Sequence, residues 1–412
     1  MINTLRNATY RKLFSAQVIA LLGTGLLTVA LGLLAFDIAQ DDAGAVMGLA
    51  MTIKMVAYVG VAPLVSAVLA RVPRKPLLIT ADLVRAAVAL SLPFVSQPWQ
   101  IHLLIFFLQA ASATFTPAFQ ALIPSVLPGE REYTLALSLS RLAYDMEALV
   151  SPMIAAALLA VIGYQNLFVG TVVGFIGSAS LVAVSRLPNI EPPPASPFLQ
   201  RLTSGARQFW TNLELRGLLG LNLVVATTTA MVIVNSVVVV RTHLGLGQTD
   251  LAILLAANGA GSMIVALTMP PLLDRLPDRG VMLVGAAALP IGLAAVAGML
   301  AWTDAGSAWP LLLALWFIIG AATSATLTPS ARILQRNSTE RSRPAVYAAQ
   351  FSLSHACFLI TYPLAGTLGA VLGLAPTAAI LVVLGGAGLL LARVAWRGAP
   401  LSKSAELPSG RR

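Results

Sequence analysis

The sequence predicts an all-α polytopic membrane protein of twelve transmembrane helices, built as two six-helix repeats. Three observations lead there. The 412-residue chain is 58% hydrophobic and only 10% charged, with a mean hydropathy of +0.85, well outside the composition of soluble domains. Twelve apolar stretches approach or exceed the roughly 20 residues needed to cross a bilayer core. One half of the chain also restates the other. Leu69-Ala70-Arg71-Val72-Pro73-Arg74 returns 204 positions later as Leu273-Asp274-Arg275-Leu276-Pro277-Asp278, and Thr116-Pro117 and Pro152 return 211 to 212 positions on as Thr328-Pro329 and Pro363. Extra residues in the polar segment Trp302–Trp309 account for the drift.

The stretches are 13–38, 45–70, 77–95, 101–123, 135–161, 164–186, 217–240, 251–273, 281–301, 310–330, 345–372 and 376–396. The first is too long for a signal-peptide core and lacks a cleavage site, so it is read as a retained helix. The divisions expected are a six-helix bundle over 1–187, a linker over 188–216, a second bundle over 217–396 and a short tail over 397–412. Internal duplication in a membrane chain marks secondary transporters, whose halves rock about a central site.

The net charge of +10 does not imply a nucleic-acid partner, because its distribution follows the membrane. With a cytoplasmic N-terminus, all but four of the 26 Lys and Arg fall in cytoplasmic segments. Arg241 is the outer exception, and Lys54, Arg85 and Arg141 lie within spans. That bias is the positive-inside rule and predicts both termini in the cytoplasm. The single cysteine, Cys357, excludes an intramolecular disulfide. No P-loop and no His-Glu-x-x-His motif occurs, so neither nucleotide hydrolysis nor zinc-hydrolase chemistry is expected.

Between the halves, Pro188, Pro192, Pro193, Pro194 and Pro197 predict an extended start to the linker. Phe198, Leu202, Phe209 and Leu213 then recur at near-helical spacing around Arg201 and Arg207, as in an amphipathic helix on the cytoplasmic face or a plain tether.

The fifth stretch carries most of the chemistry. At 100° per residue, Ser140, Tyr144, Glu147 and Ser151 form one stripe, with Ser138, Arg141 and Asp145 beside it. A charge at the bilayer centre costs roughly 2.5–3.5 kcal/mol on insertion scales, so Lys54, Arg141, Asp145 and Glu147 must face protein or a water-filled cavity. Arg141 and Asp145 sit four apart and can pair, either as a structural bridge or as part of a relay. Glu147 points away from Asp145 and is then the freer acid, the better candidate for carrying a proton. Met47, Met51 and Met55 form a stripe that is read as packing.

Six helices per half, a central loop and a basic turn after the second helix of each half resemble the major facilitator superfamily, over residues 1–396. That family's turn pattern, Gly-x-Leu-Ala-Asp-Arg-x-x-Arg-Arg, stands here as Ser66-Ala67-Val68-Leu69-Ala70-Arg71-Val72-Pro73-Arg74-Lys75, and the second copy keeps Asp274-Arg275. The resemblance implies a gating role for Arg71, Arg74, Asp274 and Arg275. It leaves the first-half latch without its acid at Ala70, with Asp82 a possible substitute. Asp82-Leu83-Val84-Arg85-Ala86 and Pro117-Ala118-Phe119-Gln120-Ala121-Leu122-Ile123-Pro124 look like the third drug:proton antiporter group. The run from Ala136 to Glu147, with Ile53-Lys54-Met55-Val56-Ala57-Tyr58 and Tyr10-Arg11-Lys12-Leu13-Phe14, is similar to bacterial nickel-resistance exporters, although the histidine-rich tail of some members is missing.

The resemblance also implies that the second and fifth helices meet at the interface of the halves, so a Lys54–carboxylate pair is expected, as a gate or a strut. The central cavity would draw on Tyr144, Gln109, Thr228, Asn235, Asn258 and His355, the hydroxyls being equally able to bond their own helix backbones. Nickel(II) takes imidazole and oxygen ligands, and Asp145, Glu147, His355 and Asn258 form a loose set, with no metal site assigned. The expectation is a proton-coupled exporter of nickel or a related divalent cation. The alternative is an amphiphilic drug or siderophore-like compound, and a non-transporting receptor is a third reading. The proton gradient is the expected energy source, with no cofactor and no nucleotide. The expected partners are the lipid bilayer and a small-molecule or metal-ion substrate, and the chain is expected to work as a monomer in a bacterial cytoplasmic (inner) membrane.

Overall fold

The computed structural model describes residues 2–39, 43–188, 196–302 and 305–398. In the first half the long helices are α1 (Ala8–Ala39), α2 (Ala43–Val68), α3 (Arg74–Ser91), α4 (Pro98–Val126), α5 (Glu130–Leu159) and α6 (Gln165–Ala183). In the second they are α7 (Leu213–His243), α8 (Gln248–Leu273), α9 (Asp278–Trp302), α10 (Ala305–Leu327), α11 (Arg343–Leu372) and α12 (Leu374–Arg397). Eleven of them are long and apolar enough to cross a membrane. The twelfth, α5, is 30 residues long, about 45 Å of helix, but carries the charged run from Arg141 to Glu147. The chain is thus a multi-pass, all-helical membrane protein. Large apolar side chains such as Leu90, Val173, Ile360 and Val383 lie exposed on its flanks, where lipid would cover them.

The duplication read in the sequence reappears as packing. In the first half α1 packs on α6, α2 on α4, and α3 on both α4 and α6. In the second, α7 packs on α12, α8 on α10, and α9 on both α10 and α12. Glycines set the closest crossings. Gly23 and Gly174 face each other between α1 and α6, Gly220 and Gly388 between α7 and α12, and Gly261 and Gly320 lie at the α8–α10 crossing. At the α7–α12 crossing each glycine meets the other's carbonyl oxygen, so no Cβ fits. Gly220→Ala is therefore expected to cost about 1–3 kcal/mol by overpacking, read as a lowered melting midpoint in detergent.

Two details depart from the simple apolar runs. α7 widens into π-helical turns at Met231–Asn235 and Val239–His243, and a short helix, Ser330–Arg336, follows Pro329 after α10. The linker does form a helix, Phe198–Thr211, which lies across the seam between the halves. Arg201 Nε donates to the Ala67 carbonyl of α2 at 3.0 Å, and Gly205 lies against the Ala345 carbonyl of α11. Trp210 and Leu199 remain exposed and Phe209 is buried. The prolines Pro192, Pro193 and Pro194, and the tail from 399 on, lie outside the described residues.

Between halves the contacts run α2 to α11, α4 to α11 and α5 to α8. These seams carry the candidate site.

Candidate functional site

At the middle of the α5–α8 seam, Arg141 holds two partners. Its Nη2 is 3.0 Å from Asp145 Oδ1, and its Nε donates to Ser262 Oγ of α8 at 2.9 Å. The four-residue spacing thus forms the intrahelical pair, and the same guanidinium ties the two halves together. Asp145 is 7% exposed and its Oδ2 has no hydrogen-bond partner. Two residues on, on the opposite side of the helix, Glu147 is half-buried and turned toward α1, its Oε1 beside Gly25, where Ser151 also packs. Ser140 donates to Gln17 Oε1 of α1 at 3.1 Å. Asp145 and Glu147 therefore face different neighbours, one toward α8 and the other toward α1.

Lys54 is half-buried on α2, and its charge acts on Glu147. Among the described residues it forms no ion pair within 4 Å; its Nζ lies 5.7 Å from the Tyr58 ring centroid. Tyr58 meets His355 of α11 edge-on at 4.7 Å and Phe351 at 4.8 Å. Along α11 the rings continue through Phe351, His355, Phe358 and Tyr362, with neighbouring centroids 4.3 to 5.8 Å apart. His355 Nδ1 lies 2.7 Å from the Phe351 carbonyl. A carbonyl only accepts, so that nitrogen carries a proton. Ser352 Oγ closes the same seam on the Val59 carbonyl of α2 at 2.5 Å.

The remaining cavity residues are placed as follows. Tyr144 and Gln109 are half-buried on α5 and α4. Asn258 donates from Nδ2 to the Trp316 carbonyl of α10 at 3.0 Å. Thr228 is fully buried and bonds back to the Val224 carbonyl at 3.3 Å. Asn235, also buried, donates to the Ala365 carbonyl of α11 at 3.3 Å. Among the described residues, no three His, Cys, Asp or Glu side chains gather into a metal-holding group.

On the face that carries the linker, the halves are joined by a polar network. Arg332 bridges Glu130, at the start of α5, and Asp278, the latter at 3.3 Å. Arg336 reaches Asp278 at 2.7 Å and Glu214 at 3.0 Å, and Glu214 also takes Arg279. Asp274 stands 3.4 Å from Arg131 Nε, so the acid kept in the second copy of the turn does reach across to the first half. Arg74 donates to the Ala121 carbonyl at 3.2 Å and across the seam to the Glu340 carbonyl at 3.3 Å. Arg71 and Arg275 are exposed. Asp82 is fully buried beside Arg85, whose guanidinium lies between the Phe115 and Phe175 rings at 4.4 and 4.5 Å. It belongs to the first-half core and does not stand in for the acid missing at Ala70.

Sequence reasoning missed Glu214, Arg332, Arg336 and the pair of buried tyrosines Tyr133 and Tyr347, whose hydroxyls meet across the seam at 2.7 Å. Arg332 and Arg336, four apart after Thr328-Pro329, were a usable signal, since one helix face would carry both cations. Tyr347→Phe removes a hydrogen bond worth about 1 kcal/mol, and a roughly fivefold shift toward opening of the linker face is expected. Spin-label distances across that face would measure it.

The family model of the Major Facilitator Superfamily matches residues 13–234 and 218–411. A macrolide efflux protein A from Streptococcus pyogenes is 25% identical over 184 residues, 43% of this chain and 44% of that protein, so the match spans less than half of the relative's length. Among solved structures, a bacterial homologue of the iron transporter ferroportin in an outward-facing state is similar over 94% of this chain and 98% of that one, with a TM-score of 0.77 at 13% identity. The transporter FucP in its outward conformation is similar over the same shares of each chain, at TM-score 0.72 and 15% identity. At such identities the structural likeness speaks to the fold.

Proposed function

The chain belongs to the Major Facilitator Superfamily, and from that premise we propose that it exports an amphiphilic organic compound in exchange for protons, by alternating access. It is a membrane transporter and not an enzyme. The observation that carries the organic substrate is the aromatic wall of Tyr58, Phe351, His355, Phe358 and Tyr362 beside Lys54 and Glu147. Apolar and aromatic linings with a few placed polar groups suit organic ligands. The similarity to a macrolide efflux protein supports the same class.

The nickel reading has less behind it. Asp145 is held by Arg141, Asn258 by a carbonyl and His355 Nδ1 by another, so three of the four expected ligands have separate partners, and Glu147 turns toward α1. Proton coupling rests on Glu147, the half-buried acid without an ion pair within 4 Å among the described residues. The rocking bodies in this reading are residues 1–187 and 217–396, joined by 188–216. The linker face, with its basic residues, is cytoplasmic in a bacterial inner membrane. The closed linker network then corresponds to a state open to the outside.

Everted membrane vesicles with an imposed pH gradient and a fluorescent reporter of lumen acidity test the proposal. Addition of a macrolide or another lipophilic amine is expected to discharge the gradient in vesicles containing the protein and not in vesicles lacking it. A response to nickel or cobalt alone would replace the organic substrate with a metal ion. Silence to all of them would remove the proton coupling.

A further inference from the structure

The two copies of the repeated turn differ at two charged positions: the second has Asp274 and Asp278 where the first has Ala70 and Arg74. Asp274 in the second copy meets Arg131 Nε at the start of α5; the first copy has Ala70. The counterpart of α5 in the second half is α11, and at its start Arg343 is 8% exposed, with Nη1 on Ser125 Oγ at 3.1 Å. Its Nε is buried and has no hydrogen-bond partner. One arginine has the acid; the other lacks it.

Beside Ala70 a cavity of about 370 Å³ opens between the turn, α4 and the approach to α11. Arg71, Arg74, Lys75 and Arg341 line it, against the single acid Glu340. Arg74 and Lys75 spend their hydrogen bonds on the main-chain carbonyls of Ala121, Glu340 and Ser185. Neither they nor Arg71 forms an ion pair within 4 Å among the described residues. Carbonyls satisfy the N–H groups without neutralising charge, and the Glu340 carboxylate, which acts on Arg74, is one negative charge against four positive ones. Arg343 stands behind this wall, near enough for its charge and that of Arg74 to act on each other. The concentration of cations, the empty volume and the missing carboxylate coincide.

We propose that this cavity binds a phosphate group, which supplies the negative charge absent at Ala70 and bridges the two halves on the linker face. Guanidinium forks and an ammonium group match the oxygens of a tetrahedral oxyanion through charge-assisted hydrogen bonds. Arg71, Arg74 and Lys75 come from the first half and Glu340 and Arg341 from the second, so an occupant touches both. Its loss has to accompany opening of the linker face. The phosphate can come from an anionic lipid headgroup at the bilayer edge or from solution.

The test uses the full chain purified in detergent. Its melting midpoint is followed with inorganic phosphate, with phosphatidylglycerol, and with diacylglycerol as the phosphate-free control, chloride matching the ionic strength. The wild type is expected to be stabilised by phosphatidylglycerol, inorganic phosphate or both, and not by diacylglycerol. A response to the lipid alone assigns the headgroup as the source, and a response to the free ion alone assigns solution. Ala70→Asp provides its own carboxylate and is expected to lose the response. Arg71→Gln/Lys75→Gln, which also removes the Lys75 bond to the Ser185 carbonyl, is measured against its own phosphate-free midpoint and is expected to bind phosphate about tenfold more weakly or worse. If Ala70→Asp does not fold, the double variant decides. No response in the wild type, or an equal response in the double variant, overturns the proposal.

Discussion

Glu147→Gln is expected to fold normally and to reduce gradient-driven export to background, while exchange of labelled for unlabelled substrate continues. The amide keeps the shape of the side chain beside Gly25 but cannot release a proton. Ionisable groups inside a membrane are costly, and their common uses are pairing and proton relay. Glu147 differs from Asp145 in this respect: the latter is occupied by Arg141 at 3.0 Å, whereas Glu147 forms no ion pair within 4 Å among the described residues, although Lys54 acts on it from a distance. Vesicles with and without a pH gradient separate the two activities. Full gradient-driven export by the variant would move the relay to another group.

Arg141→Met is expected to be the most destabilising single change at the centre. It leaves Asp145 buried without its counter-charge and removes the bond to Ser262 across the halves. Breaking one side of a buried pair costs about 3–5 kcal/mol, on the order of 10 °C in melting midpoint. Replacing both members, as Arg141→Met/Asp145→Leu, is expected to recover most of that stability, because the isolated charge and not the lost attraction dominates the cost. Thermal unfolding of the three proteins in the same detergent measures the difference. If the single variant melts like the wild type, water reaches Asp145 and the pair is not structural.

The twelve helices were legible because apolar run length and bilayer thickness are tied by geometry. Even α5, interrupted by charge, was marked out as the stretch 135–161. The Arg141–Asp145 pair was legible for the same kind of reason: partners four residues apart share a helix face. Partners far apart in sequence were not. Nothing in the local pattern distinguishes Thr228, turned inward onto Val224, from a cavity hydroxyl. Nor does it say that Asp82 would be enclosed with Arg85 between two phenyl rings. Glu214 collects Arg279 and Arg336 from 65 and 122 positions away, and only the packed bundle brings them together. The aromatic wall was hidden similarly: its α11 members follow helical spacing, but Tyr58 joins them from the opposite half.

During synthesis the ribosome delivers α5 to the insertion machinery long before α8 exists. The helix is too polar to move into lipid alone, and Ser262, its partner in the other half, is still more than 100 residues from being made. Until then α5 can only shelter against α1, through Gln17, Gly25 and Ser140. A nascent chain halted after α6 therefore holds the Arg141–Asp145 pair in the membrane without the Ser262 bond and the cover of α8. The first half made alone is therefore expected to be degraded faster than the full chain, which pulse-chase labelling of the two would measure.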